Sequence, residues 1–274
     1  MGKVFTWIQV EGDYIPKPAN FSKVVESLHR VLPVESSITD AMICGSVARK
    51  EFTCRSDIDC VVVYDSLKRR QALHVMGELS RWADALHVPL NFIPCSTAVR
   101  GTRMHHLSPS FLEHLKAVAV AGFLKGRPLE GWAQSLTRQE GVEEYLRFKL
   151  HKLEARWAEY PAMDELSQAR FLQKCLEAPI HVARRTLAWF GPLSGDSKIA
   201  IQKQYRDAMP QALYMQLSGL LVLDGQYSEE LQQQLESPSH ANYYLMLELI
   251  QQRAPEVIEF VSANIEHLNN VARP

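Results

Sequence analysis

The sequence predicts an α/β domain over residues 1–130, followed by an all-α helical bundle domain over residues 131–274. Three observations carry this reading. Short, nearly continuous apolar runs at 41–44, 58–64 and 88–93 read as buried strands, and stretches of helical period separate them. Beyond about residue 130 apolar residues recur every three or four positions instead, over long stretches punctuated by Gly and Pro. Alternating elements followed by helices alone imply a layered sheet-and-helix domain and then a bundle.

Each element has its own signal. Residues 3–15 alternate loosely around Gly12-Asp13, compatible with a hairpin. Asn20 is placed to cap a helix from Phe21 to Leu32, with Phe21, Val24, Val25, Leu28, Val31 and Leu32 on one face. After the first strand, Gly45-Ser46 opens a short polar helix. The strand at 58–64 leads into a helix from about Leu67 to Leu86. Ser108-Pro109 opens a further helix, and "AVAVAGFLKG" forms a fourth apolar segment.

In the second half, Thr137 and Glu140 make a capping box for a helix reaching Tyr160, which Pro161 ends. A helix from about Asp164 to Phe190 is expected to kink at Pro179 and to stop at Gly191-Pro192. Further helical blocks are expected at about 197–207, 210–223, 228–236, 239–252 and 255–270.

Composition narrows the function classes. Apolar residues make up 46% and charged residues 22% of the 274, ordinary for a soluble globular chain with a real core. Thirty basic residues against 31 acidic ones leave no broad electrostatic footprint for nucleic acid. The short cluster Lys68-Arg69-Arg70 reads as a solvated helix start. Cys44, Cys54, Cys60, Cys95 and Cys175 show no zinc spacing and are expected as reduced thiols. The opening "MGKVFTWIQVEGDYIPKP" lacks the apolar core of a signal peptide, and no apolar run reaches ~20 residues. A cytoplasmic location without a membrane partner is the expectation.

Chemistry concentrates in "ICGSVARKEFTCRSDIDCVVVYD", Ile43 to Asp65. Residues two apart on a strand share a face, so Asp57 and Asp59 project together while Ile58 enters the core. Two like charges at a strand mouth are costly without a cation or partner. As a pair they make a hard oxygen site suited to Mg²⁺. Gly45-Ser46 lies between a strand and a helix, where backbone N–H groups attract phosphate. Together these parts form a cradle for a nucleoside triphosphate and its metals. Arg49 is a candidate phosphate contact and otherwise a solvated helix charge. Ser56 either joins the cradle or caps the local turn.

"GSVARKEFTCRSDID" resembles the nucleotidyltransferase signature of the DNA polymerase β-like superfamily. In its minimal and aminoglycoside nucleotidyltransferase members, that signature reads much like GSxARGxxxxxSDID. Either half alone is weak, but the two at this spacing are fairly specific. The resemblance implies a small mixed sheet and transfer of a nucleoside monophosphate from an NTP, with loss of pyrophosphate. On that match Gly45 and Ser46 hold the triphosphate, and Asp57 and Asp59 bind Mg²⁺. ATP as donor and a small-molecule hydroxyl as acceptor are expected, in a cleft where the two domains meet.

The sequence departs from the family at its third acid. A third Asp or Glu is usual on the next core strand, and "HVPLNFIP" offers Asn91 there. An amide can coordinate a metal but cannot accept the acceptor's proton. Either Glu143 or Glu144 substitutes from the tail, or the chain is a catalytically weak nucleotide sensor. Transfer to a protein acceptor is a further option. Arg103, His105, His106, Lys125 and Arg127 read as loop or turn residues.

Overall fold

The computed structural model describes residues 3–99, 122–126, 138–195 and 197–271. The chain divides into two compact units, Tyr14–Ser135 and a second made of Gly2–Asp13 with Leu136–Pro274. The helix expected from Ser108-Pro109 and the start of the "AVAVAGFLKG" segment lie outside the described residues. So do Arg103, His105, His106, Arg127 and the Thr137 cap.

The chain enters through a short helix, α1 (Trp7–Glu11), where the sequence suggested a hairpin. A capping box explains the difference. The Gln9 backbone N–H donates to the Thr6 hydroxyl (3.4 Å), and the Thr6 N–H donates to the Gln9 side chain (2.9 Å). Helix α2 (Pro18–Val31) begins with Pro at its first turn, where a missing N–H costs nothing. Asn20 is not its cap; its amide donates instead to the Leu86 carbonyl (3.1 Å).

Strand β1 (Ile38–Cys44) runs into α3 (Gly45–Ala48), a single turn. Strand β2 (Ile58–Tyr64) matches its apolar run, and a 3₁₀ turn at Ser66–Lys68 precedes α4 (Arg69–Ala85). Strand β3 (Leu90–Ser96) continues through Pro94, beyond the expected end at Ile93. Strand β4 covers Phe123–Lys125. The sheet is small and mixed, in the order β3-β2-β1-β4, with β1 antiparallel to β2 and β4, and β2 parallel to β3. Pro94 is tolerated because β3 is the sheet's edge strand.

Ile58, Cys60 and Val62 of β2 join a core with Phe21, Val24 and Leu28 of α2 and with Ala72, Met76 and Ala83 of α4. That core fixes the orientation of β2. By strand parity, positions 57 and 59 belong to the opposite face.

The second unit is helical: α5 (Arg138–Glu159), α6 (Glu165–Phe190), α7 (Lys198–Ala208), α8 (Gln211–Glu236), α9 (His240–Gln252) and α10 (Ala254–Asn270). Asp164 caps α6 by accepting from the Ser167 N–H (2.7 Å), and Pro179 lies within that helix. The two blocks expected at 210–223 and 228–236 are one helix, α8. Its buried stripe of Leu213, Leu217, Leu220, Leu223, Tyr227 and Leu231 carries the helical period across Gly225.

Buried polar groups in this unit are tied together. Asn264 Oδ1 accepts from the Tyr205 hydroxyl (2.7 Å) and the Thr186 hydroxyl (2.9 Å), and its amide donates to the Phe260 carbonyl (2.8 Å). The Phe5 N–H donates to the Tyr227 hydroxyl (2.9 Å), and the Tyr243 hydroxyl donates to the Phe5 carbonyl. These bonds hold the N-terminal segment in the helical unit.

Candidate functional site

The site is built where β1, β2 and β3 lie side by side. Cys44, the last residue of β1, is opposite Asp59, and Asp59 is in turn opposite Asn91 of β3. Gly45 follows with φ of +78°, a left-handed conformation that L side chains rarely adopt. A Cβ added at Gly45 would stand 3.5 Å from Asp59 Oδ2. The glycine therefore leaves the approach to that carboxylate open. Replacing Gly45 with Ala is expected to cost about 1–2 kcal/mol from the forced backbone alone. A lowered urea midpoint would register it, and an unchanged midpoint would contradict the requirement for glycine.

The loop from Ser46 to Asp57 closes on itself. The Ser46 hydroxyl donates to the Ser56 hydroxyl (3.3 Å), and the Glu51 N–H donates to the Ser46 carbonyl (2.9 Å). Ser56 Oγ also accepts from the Thr53 N–H (2.9 Å), while the Ser56 N–H donates to the Thr53 carbonyl (2.9 Å). Arg49 is ion-paired with Glu51 (2.8 Å). A phosphate would have to compete with Glu51 for that guanidinium.

Asp57 immediately precedes β2 and is 8% exposed. Asn91 bonds to both members of the carboxylate pair. Its Nδ2 donates to Asp57 Oδ2 (2.9 Å) and to Asp59 Oδ1 (3.4 Å). Both carboxylates therefore converge on one point, occupied by a neutral amide's hydrogens. Carboxylates accept only, so the N–H end of the amide must face them. The Asp59 charge is also felt by its neighbour: burial first, and that carboxylate second, push the Cys60 thiol up and keep it protonated.

The chemistry of the donor set suits a hard divalent cation at that point. Two anionic oxygens converge there, in the space where a hydrogen-bond donor now stands. Asp57 and Asp59 would be the ligands. Among the described residues no group of three or more His, Cys, Asp or Glu could hold a metal, and those that meet at this point are two carboxylates and an amide.

A family model, the nucleotidyltransferase domain, matches residues 21–118. Residues 21–118 are a nucleotidyltransferase domain. The match takes in α2 from Phe21 onward, the whole Gly45–Asp59 loop and Asn91, and it leaves the helical unit outside. No curated protein matches the chain at a significant level.

Within the nucleotidyltransferase domain, Gly45, Asp57, Asp59 and Asn91 form one group, and Ser46 and Ser56 brace the loop beside it. Glu143 belongs to the helical unit, where it accepts two hydrogen bonds from Arg147 (3.2 and 2.9 Å). Two residues of this region escaped the sequence reading. Arg55 is only 4% exposed, a buried cation two positions before Asp57. Its signal was its place inside the Gly-Ser to Asp-x-Asp spacing. Gly122 is the other: its carbonyl accepts from the Ile43 N–H (2.8 Å), close against the end of β1. A single glycine in an apolar run was its only mark.

No helix of the described residues is long and apolar enough to cross a membrane.

Proposed function

We propose that the chain is a Mg²⁺-dependent nucleotidyltransferase that moves AMP from ATP to a hydroxyl of a small molecule and releases pyrophosphate. One observation carries this: Asp57 and Asp59, inside a nucleotidyltransferase domain, converge on a single point 2.9 and 3.4 Å from their oxygens. The acceptor oxygen bonds to the α-phosphorus as the bond to the β-phosphate oxygen breaks, and pyrophosphate leaves with that bond's electrons. A bound Mg²⁺ would offset charge on the reacting phosphate.

The chain's own residues do the rest. Asp57 and Asp59 hold their carboxylates on one face of β2. Gly45 leaves the backbone accessible to phosphate oxygens. Asn91 has no basic lone pair to offer the acceptor's proton, so water or another group takes it. A near-neutral chain supports a small acceptor over a polynucleotide.

The test uses ATP labelled on the α- or on the γ-phosphate, with a panel of small hydroxyl compounds that includes aminoglycosides. The α label should move to an acceptor, the γ label should leave in pyrophosphate, and chelation by EDTA should stop both. Absence of both transfer and nucleotide binding would sink the proposal.

A second reading, a nucleotide sensor with little turnover, is favoured by one feature. Asn91, bonded to both carboxylates, stands where the family resemblance leads one to expect an acid. That reading expects an ATP analogue to bind without label transfer. Rapid turnover by the unmodified chain would exclude it.

A further inference from the structure

We infer that Asn91 guards the carboxylate pair against free divalent metal, so that metal enters only together with a nucleoside triphosphate. The inference rests on the proposed site and deepens it. The Asn91 amide hydrogens stand between Asp57 Oδ2 and Asp59 Oδ1, where a cation would stand. In the free protein they partly satisfy the two anions.

A metal arriving alone must displace both hydrogen bonds. From the described residues it gains two carboxylates, since no third acid joins them there. A hard cation such as Mg²⁺ fills its remaining positions with water or with phosphate oxygens. Triphosphate brings those oxygens and the opposing charge that the chain withholds. Rotation of the Asn91 amide by half a turn would then present Oδ1 in place of Nδ2 within the same volume. Metal and nucleotide should therefore enhance each other's binding reciprocally.

Three proteins and one probe test this: wild type, Asn91→Ala and Asn91→Asp, each titrated with Mn²⁺ alone by electron paramagnetic resonance. Asn91 is exposed and the substitutions leave the buried core untouched, so all three should fold, which circular dichroism checks. Wild type should bind Mn²⁺ weakly. Asn91→Ala should bind it at least threefold more tightly, because the guarding hydrogens are gone. Asn91→Asp should bind at least tenfold more tightly, and Mn²⁺ alone should raise its melting temperature but leave that of wild type in place.

Asn91→Ala binding no more tightly than wild type overturns the inference, because a plain ligand or spacer would behave that way. Adding a non-hydrolysable ATP analogue should tighten Mn²⁺ binding to wild type at least tenfold. If the analogue does not bind at all, the proposed function fails. If it binds and leaves Mn²⁺ affinity unchanged, only the coupling fails.

Discussion

Asparagine at both 57 and 59 should lower transfer of the α-phosphate label on the order of a thousandfold or more, with the fold intact. The size follows from the role of the pair. Charge on the transferring phosphate would be offset by a divalent cation that the pair holds, and loss of one such preorganised electrostatic contribution alone costs roughly a hundred- to a thousandfold. Asp57 and Asp59 meet at one point, so they should act as a unit. Each single variant should then lose most of what the double variant loses, since groups that work together are far from additive. A melting curve checks that the double variant still folds. Transfer within tenfold of wild type would remove Asp57 and Asp59 from the mechanism, and a large fall in melting temperature would assign them to the fold instead.

The sequence made this pair legible because the relevant physics is local. Alternation along β2 puts 57 and 59 on one face, and the apolar run Ile58–Tyr64 marks a strand covered on both sides. Gly45-Ser46 sits at a strand-to-helix junction that a single turn of helix fills. Asn91 was found as a residue, but its task was not. That task depends on the parallel register that sets Asp59 against Asn91 across 32 residues of chain. No local signal encodes such a register.

Non-local forces also explain the misread elements. Five residues from Trp7 to Glu11 are too few for periodicity to separate helix from strand. The Thr6–Gln9 capping box decides for helix, and bonds from Phe5 to Tyr227 and Tyr243, more than 200 positions away, hold the segment in place. Pro94 signals a strand end unless the strand is known to lie at an edge, and Gly225 signals a break unless the buried stripe on both sides is weighed as one. At Pro94 and Gly225 a breaker residue was read alone and packing overruled it.

Gly122→Ala should destabilise the first unit by about 3 kcal/mol, at the upper end of what overpacking costs. A Cβ there would lie 1.9 Å from the Ile43 carbonyl oxygen and 2.9 Å from its carbon. Both are backbone atoms, so no side-chain rotation relieves the overlap. Ile43 is in β1, and its N–H already donates to the Gly122 carbonyl (2.8 Å). The methyl must therefore push β4 away from β1, against the pairing of Met42 with Phe123 and Ala41 with Lys125. Thermal unfolding should shift down by roughly 10 °C. Gly77→Ala in α4 supplies the contrast within the same unit. Nothing lies within 4 Å of its added Cβ, and alanine in a helix interior should raise stability by about 0.5–1 kcal/mol. One methyl group then acts with opposite signs, according to what it meets. The effect of Gly122→Ala should reach the site as well, because β1 ends at Cys44, opposite Asp59, and delivers the chain to Gly45. Label transfer measured well below the melting transition should fall with Gly122→Ala and hold with Gly77→Ala. A Gly122→Ala protein that unfolds at the wild-type midpoint would show that β4 does not hold β1 at this distance.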